Sequence, residues 1–224
     1  MTGRLDGRVV LITGSSGIAA ATAVRAAADG ASVFVVSRTG DHAQALAERL
    51  PTAGWAEADL RDEPAVDAAV TEVVERFGRI DSVFSAAGGS GRPFGDGPIH
   101  AMTAGAWDQT LALNLRSHAL VASRVIRVMR DQPVDSDGSR GSILFLGTVL
   151  ATHPVPEYFA THAYAARKQP LAGALLDPDD VARAALFFLS PASRAVTGQS
   201  LAVDGGWSIV STSAGEPSSA EPTA

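Results

Sequence analysis

The chain has 224 residues, 46% of them hydrophobic and 19% charged, which allows one domain with a full core and excludes a disordered polymer. Its net charge of −6, with Lys and Arg scattered, argues against a nucleic-acid or acidic-membrane surface. Cysteine is absent, so disulfides, thiolate metal sites and Cys nucleophiles are ruled out.

The start, "MTGRLDGRVV", lacks the basic-then-apolar build of a signal peptide, and no apolar run approaches membrane-spanning length. A cytoplasmic protein is expected. "GRVVLITG" reads as a first buried strand, and "SSGIAAATAVRAAADG" as an Ala-rich helix closed by Gly30. Between them, Gly14 and Gly17 let the backbone turn tightly and approach a ligand. Ser15, Ser16 and Ile18 complete that loop, and the helix start behind it offers N–H groups and a positive dipole end to a phosphate. A plain glycine turn is the bland alternative.

"ASVFVVSR" is the second strand, ending at Ser37 and Arg38. An acid at this place would take a ribose 2′-OH, whereas an Arg suits a 2′-phosphate, so NADP is favoured over NAD unless Arg38 is merely a solvated surface residue. "DHAQALAERL" is a helix and "GWAEADL" a weaker third strand, after which Asp59 and Leu60 stand at the adenine side; Asp59 could equally cap a helix. Asp62 starts a helix with Val66, Ala69, Val70, Val73, Val74 and Phe77 on one face and Gly78 at its end. "IDSVFSAAGG" is a fourth strand that runs into Ala86, Ala87 and Gly88. A long helix from Trp107 to Met129 contains Asn114, and "GSILFLGT" is a fifth strand reaching Thr148. Pro178 to Leu189 is a helix, "GQSLAVDGG" a last strand, and residues 211–224 a tail expected to be disordered. Residues 1–210 are expected to form one domain.

Apolar strands alternating with helices predict a doubly wound parallel sheet, the Rossmann fold, with ligands beyond the carboxyl ends of the strands. The five histidines (His42, His100, His118, His153 and His162) show no ligand spacing, so no metal is expected. None of Ser15, Ser16 and Ser90 completes a GxSxG nucleophile elbow.

In order and spacing, "TGSSGIA", "DL" at 59–60, "SAAGG" at 85–89, "LNL" at 113–115 and "VTGQSLAVDGG" resemble the short-chain dehydrogenase/reductase family over nearly the whole chain up to about residue 210. The glycine motif has one residue fewer than the family's, with Ala19 in place of its last glycine. The resemblance implies NAD(P)-dependent interconversion of a small-molecule carbonyl and a secondary alcohol, in a homo-oligomer. It also implies a catalytic set in which Asn114 holds a relay water and Thr148 stands for the usual Ser. Tyr164 would be the general acid or base. Lys168, four residues on, would lower the phenol pKa and bind the nicotinamide ribose.

One departure affects all of this. Only nine residues, Gln169 to Asp177, separate Lys168 from Pro178, where the family places the rest of the Tyr helix, a sixth strand and a loop over the nicotinamide. A parallel crossover alone needs about a dozen residues, so that strand is expected to be missing. Pro170 would end the helix just after Lys168, so the Tyr164–Lys168 spacing is either a working pair or an accident of a deletion. A shortened helix would also weaken the family's dimer interface. The alternative to an enzyme is a non-catalytic dinucleotide-binding protein that keeps only the first-half site.

Overall fold

The computed structural model describes residues 3–153, 168–171 and 174–209. The expected tail and the segment of Tyr164 lie outside the described residues. The chain divides into two compact units, one of Met1–Leu146 with Pro178–Gln199, the other of Gly147–Asp177 with Ser200–Ala224.

The first unit holds five parallel strands: β1 (Val9–Thr13), β2 (Ser32–Ser37), β3 (Ala53–Glu57), β4 (Ser82–Ser85) and β5 (Ser142–Phe145), in the order β3-β2-β1-β4-β5. Their helices are α1 (Gly17–Ala28), α2 (Gly40–Ala47), α3 (Glu63–Phe77), α4 (Ala104–Leu111), α5 (Ser117–Asp131) and α6 (Pro178–Leu189). Period-two alternation splits each strand between two cores. Val10, Ile12, Val33, Val35 and Phe84 pack with α1, α2 and α6, through Ala23, Ala26, Leu46, Ala185 and Leu189 among others. Val9, Leu11, Phe34, Val36 and Val83 pack on the opposite face with Val66, Val70 and Val73 of α3 and Val121, Val125 and Met129 of α5. This is the doubly wound parallel arrangement that the strand–helix alternation predicts.

Local chemistry sets several boundaries. Asp62 accepts from the Ala65 N–H at the start of α3, Pro64 fits the first turn, and Gly78 ends the helix at φ 78°. The buried carboxylate of Asp81 accepts from the Val9 N–H at 2.8 Å and from Arg79, fixing the entry to β4. Ser82 donates to the Leu189 carbonyl at 2.6 Å, tying the end of α6 to the sheet. Arg25 of α1 pairs with Asp179 in the first turn of α6, a second tie between helices on the same face.

Two expectations change. The single helix expected from Trp107 to Met129 is α4 and α5 joined by a π turn at Ala112–Arg116. The last strand expected in "GQSLAVDGG" does not form: residues 199–203 are irregular and Asp204 opens a turn. Its carboxylate accepts from the Gly206 and Ser208 N–H groups at 2.9 and 2.8 Å. Burial alone would raise that carboxyl's pKa, and these hydrogen bonds outweigh it and hold the group below the usual range. A strand needs a neighbour, and the sixth strand that would supply one has no room before Pro178. The turn packs instead within the second unit, where Leu171 donates to the Gly205 carbonyl at 3.0 Å and Gln169 accepts from the Leu176 N–H at 2.8 Å. β5 is therefore the edge of the described sheet, and Phe145 at its end is half exposed. Among the described residues no helix is long and apolar enough to cross a membrane.

Asp62→Ala removes the α3 cap, and we expect it to lower unfolding free energy by about 1 kcal/mol in urea titration. An unchanged midpoint would mean that the cap does not hold this helix.

Candidate dinucleotide site

The strand order reverses between β1 and β4, so the loops after these two strands diverge and leave a crevice at the carboxyl edge of the sheet. Thr13 holds the two loops together: its Oγ1 accepts from the Ala86 and Ala87 N–H groups at 2.9 and 3.0 Å. Gly14 follows at φ 101°, donating to the Val36 carbonyl at 2.8 Å, so the turn is fixed to β2 as well. A Cβ on Gly14 would stand 3.1 Å from the Ala19 Cβ, whereas one on Gly17, at φ 52°, would meet nothing within 4 Å.

The open space at Gly17 lies at the start of α1. Ser16 occupies the cap position there with no side-chain hydrogen bond to the helix, so the first-turn N–H groups keep their capacity for a ligand. Ser15 donates to Ser37 Oγ at 3.0 Å, and the Thr39 N–H reaches the same oxygen at 3.2 Å. With two donors already on its oxygen, the Ser37 hydroxyl keeps its own proton for a further bond. Arg38 beside it is exposed. The end of β2 thus presents donors and a cation, with the Glu57 carboxylate of β3 set against Gly40.

Asp59 is committed to Arg61. The guanidinium grips both carboxylate oxygens, at 2.6 Å from Nη2 to Oδ2 and 2.9 Å from Nε to Oδ1, and the Arg61 N–H adds a bond of 3.0 Å. That side-chain bond is the main cause holding the Asp59 carboxyl below its ordinary range, with Arg38 adding attraction. Arg61 also reaches Gln109 of α4 at 3.2 Å. Leu60 is buried in the core with α3, and Ala86 and Ala87 each pack against one of the two cores. Ile18 packs beside Ala19 on the α1 side.

Asn114 lies in the π turn. Its amide accepts from the Gly89 N–H at 2.9 Å and donates to the Gly89 and Thr110 carbonyls at 3.0 and 3.1 Å. Its oxygen sits so close to Gly88 that a Cβ there would be 2.7 Å away. The first unit thus brings together Gly14, Ser15, Ser16, Gly17, Ile18, Ser37, Arg38, Asp59 and Leu60 with Ala86, Ala87, Gly88 and Asn114. Thr148 and Lys168 belong to the second unit. There Thr148 Oγ1 accepts from the Leu150 N–H at 3.2 Å, which leaves its proton to donate, and Lys168 is half-buried in a turn. Tyr164 lies outside the described residues. Three contributors were not singled out from sequence: Thr13, Arg61 and His118, whose Nδ1 meets Ser85 Oγ at 2.6 Å.

Gly14→Ala must force a side chain into a positive-φ backbone against Ala19. We expect it to destabilise the chain by more than about 1 kcal/mol, and by more than Gly17→Ala, whose methyl has open space. Equal losses in thermal unfolding would contradict the close contact at Gly14.

A family model described as short chain dehydrogenase matches residues 8–175, and one described as enoyl-(acyl carrier protein) reductase matches residues 160–208. Levodione reductase of Leifsonia aquatica is 43% identical over 138 residues, which are 58% of this chain and 51% of that protein, so the match spans about half of that relative. D-Threitol dehydrogenase of Mycolicibacterium smegmatis is 30% identical over 251 residues, covering 92% of this chain and 95% of that protein. An aligned length above the 224 residues of this chain means that the relative carries residues for which this chain has no counterpart. Among solved structures, 3-ketoacyl-(acyl-carrier-protein) reductase from Brucella melitensis, complexed with NADH, superposes with a TM-score of 0.79 at 27% identity, covering 92% of this chain and 100% of that one. A motif order in the sequence, a sheet with its switch point beside a glycine turn, and a family match over most of the chain agree: the chain belongs to the short-chain dehydrogenase family of oxidoreductases.

Proposed function

We propose that the chain is an NADP(H)-preferring oxidoreductase that interconverts a small-molecule carbonyl and a secondary alcohol. The observation that carries this reading is the donor set around the glycine turn: uncapped N–H groups at the start of α1, the Ser37 hydroxyl and the exposed Arg38. Residues of this kind fit a pyrophosphate and a 2′-phosphate, and no acid stands at Ser37 or Arg38 to take a free 2′-OH. A solved relative complexed with NADH, and relatives named for a ketoacyl group and for threitol, support the cofactor class and the carbonyl–alcohol chemistry.

In this reading Gly14 to Ile18 receive the pyrophosphate, Asp59 and Leu60 border the adenine, and Ala86 to Gly88 border the nicotinamide ribose. When bound, the nicotinamide supplies or accepts the hydride. The chain's own part is the proton. Tyr164 gives one to the carbonyl oxygen in reduction and takes it from the alcohol in oxidation, while the Thr148 hydroxyl donates a hydrogen bond to the same oxygen. An unperturbed phenol, near pKa 10, needs a cation to do this near neutrality, and that is the role of Lys168. Asn114 holds the loop after β4 and carries the relay water.

We further assign residues 1–210 to one domain, place the protein in the cytoplasm and expect it to self-associate. Trp107, Leu111 and Leu115, exposed at four-residue spacing across α4 and the π turn, offer an apolar stripe for a second copy.

A second reading has its own support. Lys168 stands in a turn two residues before Pro170, and the last strand is not formed. Both features fit a dinucleotide-binding protein without turnover. Tyr164→Phe separates the two: under the leading reading it lowers turnover by about 10²- to 10⁴-fold and spares NADPH binding. Turnover at the wild-type level would remove Tyr164 from the chemistry, and no turnover in the wild type with any carbonyl would favour the second reading. Arg38→Asp removes a charge-assisted contact of about 1.5–3 kcal/mol, so NADPH affinity should fall by about 10- to 100-fold while NADH affinity holds or rises. Unchanged selectivity would contradict the role of Arg38.

A further inference from the structure

Ser85 ends β4, in register with Thr13 of β1 and Phe145 of β5, and its side chain is buried. It leads directly into residues 86–89, the loop that Thr13 and Asn114 hold from either side. By strand alternation it faces α5, where its Oγ lies 2.6 Å from His118 Nδ1. The His118 ring also stands edge-on to Phe145, with centroids 5.9 Å apart. Ser117 takes the first buried place on α5, in line with Val121, Val125 and Met129, and His118 follows it, part-buried and one turn before Val121 and Ala122. The π turn delivers Asn114 and His118 to the same loop, one to Gly89 and the other to Ser85.

We propose that His118 is a positioning residue which, through Ser85, fixes the loop of residues 86–89 on the sheet. The consequence for ligand binding rests on the dinucleotide reading above; the positioning itself does not. Ser85 is buried at 1% exposure, so losing His118 takes away the side-chain partner of a hydroxyl that bulk solvent does not reach. In its Nε2–H tautomer the neutral ring accepts the Ser85 proton at Nδ1. A protonated ring must donate there, and Ser85 then has to turn its own proton into the interior. Burial pushes the His118 pKa down, which keeps the ring neutral at pH 7.

Among the described residues, the ring's hydrogen bond and ring contact are both to uncharged groups, Ser85 from β4 and Phe145 from β5, and Asn114, Val121 and Ala122 are its neighbours at helical spacing on its own helix. On α3, which packs against α5, Glu63 and Asp67 are paired with Arg124. His118 is thus the group here that changes charge near neutrality. The sign follows: with a folded pKa below the unfolded one, the contact is intact above the ordinary imidazole value of about 6.5 and weakens as pH falls below it.

The test is amide hydrogen exchange over residues 86–89 in the full free chain, corrected for intrinsic rates, between about pH 5.5 and about pH 8. Wild type should lose protection on acidification. His118→Leu, which keeps the apolar packing, should show low protection throughout. His118→Asn, which keeps a polar atom near Nδ1 and does not titrate, should restore protection and make it independent of pH. Equal protection in wild type and His118→Leu at every pH would overturn the proposal. NADPH dissociation constants on the same samples distinguish the two claims. If protection changes as stated but no sample binds NADPH or NADH, positioning stands and the dinucleotide reading fails.

Discussion

Everything at this site hangs on β1 being paired on both sides in parallel, with β2 and with β4. That pairing brings the end of β1 level with Val36 and Ser85. From there Thr13 can hold the β4 loop and Gly14 can hold the end of β2, with one side chain and one backbone N–H. The turn must then climb into α1 without a Cβ at Gly14, because Ala19 stands in that place. Ala19 replaces a glycine of the family motif, so the motif's close helix–strand approach is kept at one less glycine, and Gly14 bears the steric demand. The open side of the turn, at Gly17, is what remains for a ligand.

The second unit carries the cost of the shortened seam. Between Lys168 and Pro178 the chain makes a turn and a short return, and the residues that should form a last strand fold into the Asp204 turn beside them. The first unit does not depend on that strand. β5 stays paired to β4, α6 is pinned by Ser82 and by the Arg25–Asp179 pair, and both cores close over the five strands. The five-stranded unit can therefore stand while the second unit is reduced.

Much of this was legible because it is local. The strands show as apolar runs, and Asp62, Pro64 and Gly78 mark α3 by short-range chemistry. The ends of β1, β2 and β4 fall at Thr13, Ser37 and Ser85, within a residue or two of the glycine and polar signals. What failed to show depends on partners distant in sequence. "GQSLAVDGG" has strand composition, but a strand exists only beside another, and the composition does not reveal that the neighbour is missing. His118 belongs to a pair 33 residues apart, and the π turn that aims it has no sequence signature. Arg61 lies two residues from Asp59, close enough to guess, yet nothing in the sequence says that it would take the carboxylate rather than solvent.

The central claim is that the turn from Gly14 to Ile18 receives a dinucleotide pyrophosphate and that Ser37 and Arg38 receive its 2′-phosphate. The most direct measurement is the thermal unfolding midpoint alone and with saturating NADPH or NADH. A ligand that binds the folded chain stabilises it by about 2.7 kcal/mol at a hundredfold excess over its dissociation constant. A cooperative transition that moves up with both ligands, and further with NADPH, is the predicted result. A cooperative transition that neither ligand moves would mean a folded chain without a working cofactor site, and would contradict the account.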